Sequence, residues 1–189
     1  MKRFLLSILL TLCFIAGLTG CADKANEREG NKTLPIADNS VDFAYSLKLG
    51  WNLGNTLEST GTRLLNAETA WGQPKTTKEM IDYVKEAGFT GIRIPVTWSS
   101  HMNDDYTIDE MWMDRVQEVV DYGLDAGLYV ILNSHHDCEK YFPSEENLEN
   151  GKAYLAAVWT QISERFKDYD ERLIFESMNE PRLINTAKE

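Results

Sequence analysis

The chain has 189 residues, 43% of them hydrophobic and 11% aromatic, which is enough for a proper core and excludes a disordered or fibrous protein. Its formal net charge is −11, and removal of the leader residues Lys2 and Arg3 takes the remainder to −13. So acidic a chain repels nucleic acid and anionic membrane and favours a neutral or small ligand, and no Walker, dinucleotide or zinc-finger spacing opposes that.

Residues 1–21 read as a targeting segment. Lys2 and Arg3 form a positive start, residues 4–18 are an apolar run too short to span a bilayer, and Leu18-Thr19-Gly20-Cys21 follows. That tetrapeptide resembles the bacterial lipobox, in which the cysteine is lipidated and becomes the mature N-terminus. An ordinary secretory signal is the alternative, and either way the protein is expected to be exported to the cell envelope or beyond. With Cys13 removed and Cys21 lipidated, Cys138 is left as the only thiol of the folded part, so no internal disulfide can form. Residues 22–42 are polar without apolar periodicity and read as a flexible tether.

From there the chain repeats one unit. Four short apolar runs, at 47–55, 91–95 (extended to 98), 128–136 and 173–180, each end in polar residues. Three helical patterns separate them. The first starts at the capping box Thr76-Thr77-Lys78-Glu79 and stops at Gly88; the second starts at Thr107-Ile108-Asp109-Glu110 and stops at Gly127. The third carries Leu155, Val158, Trp159, Ile162 and Phe166 at helical spacing. Strand ends recur at intervals of about 40 residues, at Asn55, Pro95, His135 and Glu180. Strand, helix and strand in steady alternation imply a parallel sheet, and such regularity favours a TIM (β/α)8 barrel. Only four strands are present, and a complete barrel takes about 250 residues. Residues 43–189 are therefore expected to be the N-terminal half of a barrel in a longer protein.

Every strand delivers polar groups to its carboxyl end, where ligands of α/β folds bind. The first gives Asn52, Asn55 and Glu58, the second Arg93, the third His135, His136 and Asp137, and the fourth Asn179 and Glu180, with Trp71 and Trp98 in the loops beyond. Amides, imidazoles, carboxylates and indoles around one mouth suit a carbohydrate. Blander readings compete. Trp98 and Trp71 can be packing residues, Glu58 a solvated loop acid, and Arg93 one half of a structural ion pair. The run His135-His136-Asp137-Cys138 could ligate a metal, but adjacent strand residues point to opposite faces and rarely share an ion, so no metal site is assigned. The 173–180 run is expected to be a buried strand, which would put Glu176 roughly 13 Å from Glu180. Retaining glycosidases need carboxyls about 5 Å apart. That spacing leaves Glu58, or an acid outside this chain, as a partner for Glu180.

Taken together, Gly50-Trp51-Asn52-Leu53-Gly54-Asn55-Thr56-Leu57-Glu58, Ile92-Arg93-Ile94-Pro95-Val96-Thr97-Trp98, Asn133-Ser134-His135-His136-Asp137 and Phe175-Glu176-Ser177-Met178-Asn179-Glu180-Pro181 resemble glycoside hydrolase family 5, and within it the bacterial endo-β-1,4-glucanases and xyloglucanases. The resemblance implies retaining hydrolysis of β-1,4-glucan. It makes Glu180 the catalytic acid and base, sets Asn179 on the 2-hydroxyl of the sugar under attack, and lays Arg93 beneath that sugar. Asn55, Glu58, His135 and His136 would line the substrate subsites, with Trp98 beside them. It also implies a nucleophilic glutamate on a seventh strand, which this chain does not reach, so the chain by itself is expected to be inactive. Ser134 stands where relatives usually carry an apolar residue, a difference expected to matter little. No cofactor is implied, and the partners are a β-glucan (cellulose, mixed-linkage glucan or xyloglucan) and, through Cys21, the membrane, with the protein a monomer. The rival readings are a non-catalytic glucan-binding lipoprotein and a related mannanase or β-glucosidase.

Overall fold

The computed structural model describes residues 40–181, and the leader, its Cys21 and nearly all of the expected tether lie outside them. Four parallel strands, β1 (Gly50–Asn52), β2 (Gly91–Ile94), β3 (Tyr129–Asn133) and β4 (Leu173–Glu176), lie side by side in chain order. Their register aligns Asn52, Arg93, Ile131 and Ile174 in one row and Trp51, Ile92, Val130 and Leu173 in the next. Each strand after the first follows a helix: α2 (Lys78–Glu86), α3 (Glu110–Asp125) and α4 (Leu148–Arg165). This is the first half of a (β/α)8 barrel, as the alternation predicted.

The helices begin one or two residues later than the capping boxes suggested. Thr77 rather than Thr76 accepts from the Met80 amide, and Asp109 rather than Thr107 accepts from the Met111 amide. Thr107 is already committed, its carbonyl accepting from the Asn103 amide in a turn and residue 108 bridging Met102. Both stop signals act as read: Gly88 and Gly127 adopt φ of +96° and +73°, which only glycine takes cheaply.

An unpredicted helix, α1 (Ser40–Leu47), precedes β1 and takes in residues 40–42, which were expected to be tether. Its Phe43 ring meets Tyr129 edge-on at 5.3 Å and its Ser46 hydroxyl bonds the Tyr129 hydroxyl at 3.1 Å. The helix thereby covers the amino end of β3, and Tyr129 is buried.

One sheet face packs on the helices. Ile92, Ile94, Val130 and Leu132 meet Ile81, Val116, Val119, Val120, Val158 and Ile162, all buried. Each such side chain contributes about 1.5–3 kcal/mol. Gly123 lets α3 come this close, since a Cβ there would lie 2.7 Å from Val130 Cγ2. The 173–180 run is not one continuous strand: extended pairing stops at Glu176, and among the described residues β4 is the last strand of the sheet, with Phe175 42% exposed. β1, the first strand, is only three residues long and exposed throughout.

A buried ion pair fixes the long connection between β1 and α2. Arg115 of α3 grips Glu68 of a short 3-10 helix (Leu64–Thr69) at 2.7 and 2.9 Å, donates to the Thr76 carbonyl at 2.7 Å and reaches Glu118 at 2.6 Å. Glu68 in turn accepts from the Thr76 amide at 2.7 Å. Trp71 rides on the segment so anchored. Among the described residues no helix is long and apolar enough to cross a membrane.

Candidate active site

Arg93 is the hub of the carboxyl-end rim. From the middle of the sheet, on β2, its Nε and Nη2 grip both oxygens of Glu176 at 2.7 Å, Nη2 also donates to Asn179 Oδ1 at 3.0 Å, and Nη1 donates to Asn52 Oδ1 at 3.1 Å. Of the two roles open to Arg93 in the sequence, the ion pair is the one seen, and its partner is Glu176. The bidentate bond holds the Glu176 carboxyl below its ordinary pKa, with burial opposing, and the pairing raises Arg93 in return. Glu58 and Glu180 add their charges to the field that Arg93 feels.

Asn133, which the sequence reading passed over, sits two register positions beyond the hub, beside Glu176, and is fully buried. Its Oδ1 accepts from the Val96 amide at 3.2 Å, while Nδ2 lies 3.1 Å from Glu176 Oε1 and 3.1 Å from His135 Nδ1. His135 is pinned further by its own amide on the Val96 carbonyl at 2.8 Å. Burial, then the neighbouring His136 and Arg93, pull its pKa down to about 4, so the imidazole is neutral at ordinary pH. His136 is exposed and lies between two rings, 4.5 Å from His135 and 5.6 Å from Trp71.

Asn179 and Glu180 lie past the end of β4. The Asn179 amide still donates to the Ser134 carbonyl at 2.9 Å, and its own carbonyl accepts from the Tyr141 hydroxyl at 3.0 Å. Since Asn179 Oδ1 is taken by Arg93, the side chain has its amide nitrogen left to offer. Glu180 is exposed and takes a φ of +46°, an uncommon backbone for a non-glycine residue that the surrounding contacts must impose. Because the chain turns here, the 13 Å spacing expected along a continuous strand does not apply to Glu176 and Glu180. Asn55, also exposed, adopts a φ of +63°, which asparagine tolerates better than most.

Two expected rim residues are placed elsewhere. Trp98 is 0% exposed, with its indole N–H on the Asn133 carbonyl at 2.9 Å, so it is core beneath the rim. Glu58 is 3% exposed and accepts from the amides of Asn55 and Thr56, a brace for the loop carrying Asn55 rather than a solvated acid or a lining group. Asp137 is likewise structural. It accepts from the Trp98 and Ser99 amides and, at 2.7 Å, from the Ser134 hydroxyl, so Ser134 has a definite role where little was expected.

A parallel β/α half-barrel carrying an arginine, amides, imidazoles and a glutamate at its carboxyl rim is the architecture of barrel glycosidases. The family model described as Cellulase (glycosyl hydrolase family 5) matches residues 55–189, and the chain belongs to that family. It is 50% identical over 152 residues to Endoglucanase A of Ruminococcus albus, covering 79% of this chain and 42% of that protein. Cellulase/esterase CelE of Acetivibrio thermocellus is 49% identical over 152 residues, which are 79% of this chain and 18% of that one. Among solved structures, a GH5-4 broad specificity endoglucanase from Ruminococcus champanellensis with bound cellotriose superposes with a TM-score of 0.77 at 46% identity, over 80% of this chain and 46% of that one. The chain thus spans less than half the length of these relatives.

Proposed function

We propose that these residues form the acid/base half of a retaining endo-β-1,4-glucanase. The observation that carries this is the rim itself, where Asn179 is held on Arg93 and followed directly by Glu180, in a chain of family 5. In this reading Glu180 protonates the departing glycosidic oxygen, and its carboxylate then takes a proton from the water that hydrolyses the glycosyl-enzyme. Asn179 offers its amide nitrogen to the 2-hydroxyl of the reacting sugar. Asn55, His135 and His136 present hydrogen-bonding groups to the neighbouring sugars, and Trp71, 42% exposed beside His136, offers a stacking face. Arg93 holds the floor of the site in place. Glu176 is engaged bidentately by Arg93, so the nucleophile is assigned to a carboxylate outside residues 40–181. The substrate is a β-glucan, which relatives crystallised with cellotriose and cellotetraose favour.

Reducing-sugar release from carboxymethylcellulose, barley β-glucan and xyloglucan tests this, measured on the chain and on the complete reading frame of its gene. Activity of the complete protein should fall by about 10²–10⁴ in Glu180→Gln. Near-wild-type hydrolysis by that variant would refute the assignment. We also propose that the protein is a monomeric lipoprotein anchored through Cys21. Loss of detergent-phase partitioning in Cys21→Ala is the expected result.

A further inference from the structure

We propose that Asn133 is a positioning residue that fixes the tautomer of His135, so that the ring carries its one proton on Nε2. The inference starts at a backbone group. The Val96 N–H can only donate, so the Asn133 atom facing it at 3.2 Å must be the carbonyl oxygen, and the two amide protons must sit on the other atom. That nitrogen has two neighbours, the ionised Glu176 Oε1 and His135 Nδ1, each at 3.1 Å. One proton goes to each. His135 Nδ1 is then an acceptor, and in a neutral imidazole the remaining proton belongs to Nε2. A second proton on the ring would have to displace the one donated by Asn133. The charged and titratable groups around the ring divide: His136 and Arg93 oppose a second proton, while Glu176 and Glu180 favour it. The His135 amide on the Val96 carbonyl at 2.8 Å holds the backbone that carries the ring.

The consequence deepens the glucanase reading and rests on it: His135 would act toward a sugar as a hydrogen-bond donor, never as an acceptor, across the neutral range. The tautomer itself can be tested without substrate. In ¹⁵N-labelled full-length chain, two-bond ¹H–¹⁵N correlation spectra distinguish the ring nitrogens, with His135 assigned by the resonances that vanish in His135→Gln. The expected wild-type result is an unprotonated Nδ1 and a protonated Nε2 at pH 7. In Asn133→Asp, a near-isosteric change that turns an acceptor on the ring, Nδ1 should become protonated and the His135 pKa should rise by about 1 or more. A wild-type ring protonated at Nδ1, or an unchanged tautomer in folded Asn133→Asp, would overturn the proposal. Should that variant fail to fold, the wild-type spectrum decides alone. Cellotetraose titrated into both samples separates the two readings. Binding about threefold to tenfold weaker in Asn133→Asp is expected for one lost donor. A correct tautomer with no response to the sugar removes the glucan reading and leaves the role of Asn133 standing.

Discussion

Arg115→Ala should destabilise the fold more than any other single truncation on the helical side of the sheet. Arg115 and Glu68 are 4% and 1% exposed, and the guanidinium makes four hydrogen bonds shorter than 3 Å, to Glu68 twice, to Glu118 and to the Thr76 carbonyl. Truncation leaves the Glu68 carboxylate in the interior with the Thr76 amide as its remaining bond. Breaking a buried pair from one side costs about 3–5 kcal/mol, a large share of a typical domain's stability. In urea, with an m-value of about 2 kcal/mol/M, the midpoint should fall by about 1.5–2.5 M. The double variant Glu68→Leu/Arg115→Met is a sharper probe. Buried pairs often tolerate apolar replacement, but here the pair also satisfies both the N–H and the C=O of Thr76, itself buried. Orphaning those two groups costs about 1–3 kcal/mol each, so the double variant should recover only part of the loss. A double variant as stable as wild type, or an Arg115→Ala midpoint within about 0.5 M of it, would refute this reasoning.

Gly123→Ala gains helix propensity but drives its Cβ to 2.7 Å from Val130 Cγ2 and 3.3 Å from Ile92 Cγ2, so a net loss of about 1–3 kcal/mol is expected by thermal or urea unfolding. Ser134→Ala removes one of the bonds to buried Asp137 and should cost about 1–2 kcal/mol, while cellotetraose affinity stays unchanged. His101, fully buried and stacked 3.7 Å over Trp112, has a folded-state pKa pushed from 6.5 to about 4 by burial and by Arg63. The unfolded chain therefore binds the extra proton, so stability should decline by about 3 kcal/mol as pH falls from 6.5 to 4, a decline that His101→Gln should flatten. Glu176, whose pKa is lowered, has the opposite sign and a lower window: its contribution is complete above the ordinary carboxylate value and is lost as pH falls through the depressed one.

The fold was legible because alternation of apolar runs with helical periodicity is a local signal, and the stop glycines act locally too. What escaped the sequence is what depends on neighbours. The burial of β4 turns on whether another strand lies beside it, which its own residues cannot encode. Polarity at a strand end identifies candidates for the rim but not their depth, so Glu58 and Trp98 were placed one layer too high. The register of β2, β3 and β4 brings Arg93 to Glu176 across 83 positions of sequence, and no spacing rule anticipates that. Asn133, Ser134 and Tyr141 were missed for the same reason: their roles are to satisfy buried backbone and side-chain groups that exist only once the loops are folded. The caps were off by one or two residues because neighbouring Thr and Asp residues can each cap a helix, and the first candidates were already engaged, Thr76 by Glu68 and Arg115 and Thr107 by the Asn103 amide.

The electrostatics of the rim follow from how these groups neutralise one another. Arg93 is the cation at its centre, and the ionised Glu176 cancels it at bonding distance. The nearby imidazole of His135 is kept neutral, so it adds a donor without adding charge. Glu58 and Glu180 then tip the local sum to negative, in keeping with the −11 of the whole chain. An anionic ligand would meet repulsion there, and an ammonium would find Glu176 already matched by a rigid bidentate partner. A neutral polyhydroxyl ligand meets neither difficulty, because amide and imidazole donors and carboxylate acceptors are offered within one small rim. The same balance explains why the hub is an arginine. Lysine could neutralise Glu176, but its single ammonium lacks the planar fork that reaches Glu176, Asn179 and Asn52 from three directions at once.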